Sequence, residues 1–178
     1  MSEKKLINSQ EFTRIIERLV SELLERHPEG DIVLVGIHTR GVSIAKRIKE
    51  LLEKRLGKEI LIGAVDITFY RDDLIKLYEQ PEVKETNIPF RVDDKSIVLI
   101  DDVIYTGRTV RCAIDVIMDY GRPKKIELLV IVDRGHRELP IHPDYTGRRI
   151  PTSRNEIVDV RVKEVDGEDA VVLKKKYH

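Results

Sequence analysis

Two adjacent carboxylates and a glycine-containing turn lie close together in the stretch VLIDDVIYTGRT, residues 98–109. Asp101 and Asp102 follow an apolar run that is typical of a buried strand. The turn precedes an apolar helical pattern and consists of Thr106, Gly107, Arg108 and Thr109. Like charges at a strand end repel each other and resist desolvation, so one interpretation is a plain solvated turn. The chemical interpretation is that the carboxylates hold sugar hydroxyls and Mg²⁺, which prefers oxygen ligands, while the turn binds phosphate.

The turn suits a phosphate monoester for physical reasons. Free backbone N–H groups at the start of a helix, together with the helix dipole, favour an anion. Gly107 permits close backbone approach, and the hydroxyls of Thr106 and Thr109 add hydrogen-bond donors. The acid pair lies within about 15 Å of the turn along an extended chain, which matches the span from a 5′-phosphate to ribose hydroxyls. The common nucleotide motifs GxxxxGK[ST] and GxGxxG do not occur in the sequence.

Alternating strands and helices must position these groups. An amphipathic helix, capped by Asn8 or Ser9 and stopped by Pro28 and Gly30, precedes the apolar strand DIVLVGI. Further helices are predicted over 42–56 and 109–120, and further strands are predicted for EILIGAVDITFY, SIVLID and KIELLVIVD. Strands that are apolar throughout and alternate with helices indicate an α/β fold with a parallel sheet and helices on both faces. Ligands of such sheets bind at the carboxyl ends of the strands, where HTRG, DDVIYTGRT and DRGHRE follow three of them.

Three further segments complete one predicted domain over residues 1–178. Residues about 71–94 have weak periodicity and two prolines, which predicts a flexible loop. Residues about 134–154 form a basic loop. Residues about 156–176 read as a C-terminal hairpin of two alternating strands around Asp166 and Gly167.

The composition limits the function classes. Lys plus Arg and Asp plus Glu are equal at 32 each, which argues against a general nucleic-acid binder and requires a local patch for any such role. The apolar runs are too short to span a bilayer, and the N-terminus lacks the apolar core of a signal peptide. The single cysteine, Cys112, excludes an internal disulfide and fits a reducing compartment. We therefore expect a cytoplasmic protein without a membrane partner.

The stretch VLIDDVIYTGRT resembles the signature of the type I phosphoribosyltransferases. Together with DITFYRDDL, VDRGHRELPI and GRRIPTSR, it resembles the bacterial pyrimidine-operon attenuators, a family of uracil phosphoribosyltransferases that also bind messenger RNA. The resemblance covers most of the chain. It implies the type I fold with a small hood and Mg²⁺-dependent conversion of uracil and phosphoribosyl pyrophosphate (PRPP) to UMP and pyrophosphate. It also implies attenuation at a pyrimidine-operon mRNA leader in response to uridine nucleotides, and a homodimer or higher homo-oligomer.

The resemblance also implies roles for individual residues. Asp101 and Asp102 would hold the ribose hydroxyls, the turn from Thr106 to Thr109 would hold the 5′-phosphate, and Thr39 and Arg40 would contact the pyrophosphate. Arg71, on the long loop, would clamp developing pyrophosphate charge and so join the two carboxylates as a catalytic residue. Asp133 and Arg134 would serve the nucleobase hood and the pyrophosphate. Asp133 would also help Asp101 and Asp102 to hold Mg²⁺, partly through water or substrate. Arg40 and Arg71 have an alternative interpretation as surface cations.

The basic loop supplies the local patch that RNA binding requires. Five arginines and two histidines lie between positions 134 and 154. Arginine suits bidentate phosphate contacts and stacking on unpaired bases. The predicted RNA-binding residues are His136, Arg137, Arg148, Arg149 and Arg154. The alternative is a solvated basic loop near the substrate phosphates.

The position two residues before the glycine of the turn bears on the choice of base. Purine-specific relatives often carry an acid there, whereas this chain has Tyr105, and a tyrosine is a poor base near neutral pH. We therefore assign no general base, and this departure favours a pyrimidine, whose own N–H is acidic. Two alternatives remain open: a phosphoribosyltransferase for another base, purine or orotate, without an RNA role, and a catalytically inactive sensor-regulator on the same fold.

Overall fold

The computed structural model describes residues 2–68 and 85–175 of the chain. These residues form eight strands and four helices, which are, in chain order, β1 Glu3–Ile7, α1 Ser9–Arg26, β2 Val33–Ile37, α2 Arg40–Leu56, β3 Ile62–Val65, β4 Ser96–Ile104, α3 Arg108–Asp119, β5 Lys125–Asp133, β6 Tyr145–Arg149, β7 Glu156–Arg161, α4 Lys163–Asp166 and β8 Ala170–Lys175. No helix in the described ranges is long and apolar enough to cross a membrane.

The main sheet has five parallel strands in the order β3-β2-β4-β5-β6. One of its faces packs against α1 and α2 through side chains such as Phe12 and Ile48. The other face packs against α3 through side chains such as Val110 and Ile117. The predicted parallel sheet with helices on both faces is therefore confirmed.

The helix boundaries follow the local sequence. Asn8 caps α1 in a capping box: its side chain accepts from the Glu11 N–H at 2.9 Å, and the Glu11 carboxylate accepts from the Asn8 N–H at 2.9 Å. Gly57 ends α2 in the left-handed conformation. Helix α2 begins at Arg40, two residues before the predicted start, so its first turn lies next to the β2–α2 loop that was expected to bind pyrophosphate.

A second sheet, antiparallel and in the order β1-β8-β7, forms the hood together with α4. The predicted C-terminal hairpin corresponds to β7 and β8, but the one-turn helix α4 and Gly167 connect them rather than a tight turn alone. The pattern of EKKLI did not indicate β1, because most of its residues are charged and exposed. Only pairing with the distant β8 makes this segment a strand, and the hood is consequently one strand larger than predicted.

The predicted basic loop contains a strand. Residues 145–149 pair in parallel with β5 as the edge strand β6, which corrects the prediction of a loop over 134–154. Gly147 and the two following arginines obscured the strand pattern. Gly147 is required there, because a Cβ atom would lie 2.4 Å from the Ile131 carbonyl oxygen and 2.7 Å from the Ile15 side chain. Close packing of α1 on the sheet edge thus depends on this glycine.

The predicted loop over 71–94 lies largely outside the described residues, and so does Arg71. Its last part, residues 85–94, is irregular but packed: Asn87 forms a bridge with Ala64 of β3, and Ile88 and Val92 are buried in the core. Strand β3 is shorter than the predicted strand, of which positions 69 and 70 also lie outside the described residues.

Candidate active site

A cavity of about 660 Å³ opens at the carboxyl ends of β2 and β4 and beside β5. Nine of the predicted site residues line it: Thr39, Arg40, Asp101, Asp102, Thr106, Gly107, Arg108, Thr109 and Arg134. Val158 of the hood lines it as well. Elements that are far apart in the chain therefore meet where ligands of parallel sheets bind.

The acid pair lies within β4 rather than after it, because β4 continues to Ile104. Asp101 is buried and its carboxylate accepts from the Asp102 N–H at 2.9 Å. Asp102 is half-buried and accepts from the Val103 N–H at 2.8 Å. Gly41 lets the start of α2 approach this point, since a Cβ atom there would lie 2.5 Å from the Ile100 carbonyl oxygen. The carboxylates are thus held by their own backbone at the floor of the cavity.

The turn before α3 has the geometry expected of an anion site. Gly107 occupies the N-cap position with φ of 93°, a left-handed conformation that glycine adopts readily. It brings no capping side chain, so the first turn of α3 keeps backbone donors for an anion. Thr106 accepts from the Arg108 N–H at 3.2 Å. The Arg108 guanidinium, however, donates to Glu138 at 2.8 Å, which the sequence pattern did not indicate.

Arg40 and Thr39 line the opposite side of the cavity, and the His38–Thr39 peptide bond is cis. The Arg40 guanidinium is paired with Asp166 of α4 through two hydrogen bonds, of 3.0 and 2.7 Å. Its side chain is 33% exposed and is paired at the cavity, which favours a role at the site over the alternative interpretation as a surface cation.

Arg134 and Tyr105 form the wall next to the hood. The Arg134 guanidinium lies 4.0 Å above the centre of the Tyr105 ring and donates to the Ser153 carbonyl oxygen at 3.2 Å. The His136 ring meets the Tyr105 ring edge-on at 5.7 Å. Arg134 is only 7% exposed, and within the described part of the chain its Nε–H has no hydrogen-bond partner. A buried guanidinium donor without a partner is costly, and in this position it favours a ligand acceptor.

Asp133 does not line the cavity. Its carboxylate accepts from Arg137 at 2.8 Å and from the Gly135 N–H at 3.0 Å. Among residues 2–68 and 85–175, no three His, Cys, Asp or Glu side chains form a group that could hold a metal. The three predicted Mg²⁺ carboxylates therefore do not form one cluster in the described ranges, and a role of Asp133 through water or substrate stays a prediction. Asp101 and Asp102 still fit the ion, because Mg²⁺ in such sites needs only one or two carboxylates besides substrate phosphates and water.

Comparison with known proteins identifies the family. Residues 2–165 match the phosphoribosyl transferase domain family. The Bifunctional protein PyrR of Elusimicrobium minutum is 52% identical over 172 residues, which cover 96% of each chain. The protein of the same name from Thermus aquaticus is 53% identical over 171 residues, covering 95% of this chain and 94% of that one. The chain belongs to the PyrR family of phosphoribosyltransferases.

The fold agrees with this membership. The hypoxanthine phosphoribosyltransferase of Trypanosoma cruzi superposes with a TM-score of 0.73, covering 98% of this chain and 97% of that one at 14% identity. At that identity the likeness shows a shared fold alone. The family predicted from the sequence motifs is confirmed by the PyrR relatives.

The five predicted RNA-binding residues divide into two groups. Arg148, Arg149 and Arg154 are exposed. Arg137 is instead tied inward: its guanidinium donates to the Tyr105 carbonyl oxygen at 2.7 Å and to Asp133, and its side chain is only 13% exposed. His136 is half-buried, with its Nε2 2.6 Å from the Thr152 carbonyl oxygen.

Helix α1 adds cations beside β6 that the sequence pattern did not indicate. The Arg18 guanidinium donates to the Gly147 carbonyl oxygen, and the Arg26 guanidinium lies 4.8 Å from the centre of the Tyr145 ring. Both arginines are about half exposed. The amphipathic pattern of α1 predicts which face of the helix is buried, but it does not predict which element lies beside the polar face. The position of Arg18 and Arg26 next to β6 could therefore not be predicted from the sequence.

Proposed function

We propose that this chain is a cytoplasmic, Mg²⁺-dependent uracil phosphoribosyltransferase that also binds a pyrimidine-operon mRNA leader in response to uridine nucleotides. The proposal includes the homodimer or higher homo-oligomer that the family resemblance implies, which light scattering would measure. The observation that carries the enzymatic part is a single cavity that gathers the acid pair, the Gly107 turn and Arg40. Membership of the PyrR family, whose proteins are named bifunctional, supports the second activity.

The geometry supports a reaction driven by positioning and charge stabilisation. The turn before α3 holds the 5′-phosphate, and Asp101 and Asp102 accept hydrogen bonds from the ribose hydroxyls. Uracil N1 forms the new bond to C1′, the C1′–oxygen bond to pyrophosphate breaks, and the N1 proton passes to solvent water or to the departing pyrophosphate. Held by Asp101, Asp102 and substrate phosphates, Mg²⁺ would neutralise charge on the departing pyrophosphate.

The hood side of the cavity suits a base with carbonyl oxygens. The Arg134 Nε–H, which has no partner among the described residues, can donate to such an oxygen, and the Tyr105 ring holds the guanidinium in place by a cation–π contact. The position of Tyr105, where purine-specific relatives often carry an acid, argues against a purine. Arg134 suits either kind of base, and it is Tyr105 that favours uracil over hypoxanthine.

A screen of free bases tests the enzymatic part. Labelled uracil, orotate, hypoxanthine and guanine are each incubated with PRPP and Mg²⁺, and nucleotide formation is followed with and without a chelator. We expect UMP from uracil alone, loss of activity in chelator, and recovery on adding Mg²⁺. Nucleotide formed from a purine or orotate instead would favour a different transferase. No product from any base, with UMP still bound, would favour the inactive sensor.

Binding of a pyrimidine-operon leader transcript tests the regulatory part. If about four phosphates are contacted, log affinity should fall with log salt at a slope of about −3, and UMP should tighten binding. Arg148→Gln and Arg154→Gln should each weaken binding and flatten the slope. Arg91→Gln is the matched control, because Arg91 is 89% exposed and lies before the amino end of the central strand β4, whereas Arg148 lies near the carboxyl end of the edge strand β6. Absence of wild-type binding, or equal binding by all variants, would leave only the enzyme.

A further inference from the structure

An ion pair joins the cavity to the hood. Arg40 begins α2 and lines the cavity, whereas Asp166 ends α4 and lies outside the cavity lining. Arg40 Nε donates to Asp166 Oδ2 at 3.0 Å and Nη2 donates to Oδ1 at 2.7 Å. The Asp166 side chain is only 16% exposed. A carboxylate outside the cavity therefore holds a cation at its edge.

Asp166 is itself fixed by the hood backbone. Its Oδ2 accepts from the Val162 N–H at 2.8 Å, and its own N–H donates to the Val162 carbonyl oxygen at 2.7 Å. The hydrogen bond from Arg40 lowers the pKa of Asp166, so the carboxylate is ionised at neutral pH. The short Asp166 side chain cannot follow Arg40, so Arg40, the longer and more flexible partner, is the one restrained.

The pairing leaves part of the guanidinium available. Arginine has five N–H donors in a rigid plane, and Asp166 occupies one on Nε and one on Nη2. In the described ranges of the chain, no group accepts a hydrogen bond from Nη1. A second anion can thus bind the other edge of Arg40 without displacing Asp166, and a side chain already restrained loses less conformational entropy when it does so.

We propose that Asp166 is a positioning residue for the transfer: it holds Arg40 so that the free edge of the guanidinium binds the pyrophosphate of PRPP. This inference rests on the proposed function for the identity of the ligand. Asp166 does not touch the substrate and acts only through Arg40. The hood therefore contributes to PRPP binding as well as to the nucleobase side of the cavity.

A second ion pair between the same elements provides a control. Arg47, two turns further along α2, donates to Glu164 of α4 and to the neighbouring Asp169 at distances of 2.6–2.8 Å. None of these three residues lines the cavity. Glu164→Gln weakens the attachment of α4 to α2 and leaves the Arg40–Asp166 pair intact. It separates a general effect of hood docking from an effect on Arg40.

The test compares steady-state kinetics of Asp166→Asn, Asp166→Glu and Glu164→Gln with wild type. Asn at position 166 keeps an oxygen for the Val162 N–H but loses the charge. We expect its KM for PRPP to rise roughly tenfold, the scale of one charge-assisted hydrogen bond, with KM for uracil within twofold of wild type. Asp166→Glu should recover part of the loss, and Glu164→Gln should leave KM for PRPP within twofold. Thermal unfolding of each variant confirms that it is folded.

A double-mutant cycle decides whether the effect passes through Arg40. In an Arg40→Gln background, Asp166→Asn should add less than a twofold change in KM for PRPP. Additive effects, an unchanged KM in the single variant, or an equal rise in Glu164→Gln would overturn the inference.

Calorimetric titration of Mg²⁺–PRPP into the same proteins, without any base, separates this inference from the proposed function. If wild-type protein binds PRPP but transfers the phosphoribosyl group to no base, the proposed function is refuted. The ratio of the PRPP affinities of wild type and Asp166→Asn then still decides the inference about Asp166. Transfer to uracil with unchanged PRPP affinity in Asp166→Asn refutes the inference alone. Wild-type protein that neither binds PRPP nor turns over refutes both.

Discussion

Replacing Asp102 by asparagine should slow the transfer without destabilising the fold. The Asp102 carboxylate accepts from the Val103 N–H at 2.8 Å, and an amide oxygen can accept the same bond. Because the side chain is half-buried and keeps its shape and this contact, we expect the free energy of unfolding to change by no more than about 0.5 kcal/mol. In the proposed mechanism, the charge of Asp102 thus serves the ligand, whereas its shape and its contact with Val103 serve the fold.

The size of the kinetic effect follows from the bonds that lose their charge assistance. A hydrogen bond to an ionised acceptor contributes about 1.5–3 kcal/mol, against about 0.5–1.5 kcal/mol for a neutral one. If the carboxylate accepts two bonds, from a ribose hydroxyl and from a Mg²⁺-bound water, the transition state loses about 2–3 kcal/mol. Since about 1.4 kcal/mol corresponds to a factor of ten, kcat/KM for PRPP should fall roughly thirty- to one-hundred-and-fiftyfold.

The assay is steady-state UMP formation at saturating uracil with PRPP and Mg²⁺ varied, alongside urea denaturation. Asp115→Asn is the matched control: Asp115 lies on α3 outside the cavity, is 58% exposed and pairs only loosely with Arg111 at 3.6 Å. Wild-type kinetics are expected for this control. The reasoning is refuted if Asp102→Asn keeps kcat/KM within threefold of wild type, or if it loses activity only because it unfolds.

Three further outcomes are expected. Tyr145→Phe removes the hydroxyl that donates to the buried Glu127 carboxylate, so the free energy of unfolding in urea at pH 7 should fall by about 1–3 kcal/mol, and an unchanged value would contradict this. Burial raises the pKa of Glu127, but hydrogen bonds from Tyr145, Lys125 and His27 lower it more, and the net shift is downward. A carboxyl group with a depressed folded-state pKa contributes stability that is present above its unfolded pKa and is lost as the pH falls through the folded one. The free energy of unfolding of wild type should therefore decline below about pH 4.3, and that of Glu127→Gln should decline less steeply. Parallel pH profiles of the two proteins would exclude Glu127 and its hydrogen-bond partners as the cause. Gly107→Ala places a side chain at φ of 93° without a steric clash, because the nearest atoms are 3.5 Å away. Backbone strain should therefore lower the free energy of unfolding by about 1–2 kcal/mol, and KM for PRPP should rise. Wild-type values for both quantities would show that the turn does not need glycine.

The parts of the site that could be predicted are those encoded locally. Asp101, Asp102 and the turn at Gly107 lie within one strand–turn–helix unit, so their order alone places them at the same end of the sheet. The parallel sheet with helices on both faces was predictable for a similar reason, since its central strands are continuous apolar runs. A run such as VLVGI is buried at every position, which is possible only when both faces of the sheet are covered.

The parts that could not be predicted depend on pairing between distant segments. Strand β1 exists through β8, which lies more than 160 residues away, and β6 is an edge strand whose glycine and arginines resemble a loop. Contacts between side chains that are distant in sequence were unpredictable for the same reason. Arg40 was expected to contact the pyrophosphate or to be a surface cation, and its pairing with Asp166, 126 residues further along the chain, was not indicated. Asp133 was expected to help hold Mg²⁺, partly through water or substrate, and the sequence did not indicate that its carboxylate also accepts a hydrogen bond from Arg137.

The inward-facing Arg137 also gives the proposed regulation a physical basis. The segment from Arg137 to Leu139 lies against the turn at Gly107, where Glu138 N–H and Leu139 N–H both donate to the Thr106 carbonyl oxygen, at 2.9 and 3.2 Å. Arg108 of the same turn pairs with Glu138. A nucleotide phosphate that orders this turn would therefore also order the segment that leads to the exposed arginines of β6. Replacing Arg137 would release this segment from Tyr105 and Asp133. A resulting loss of RNA affinity could then arise from displacement of the segment as well as from a missing phosphate contact.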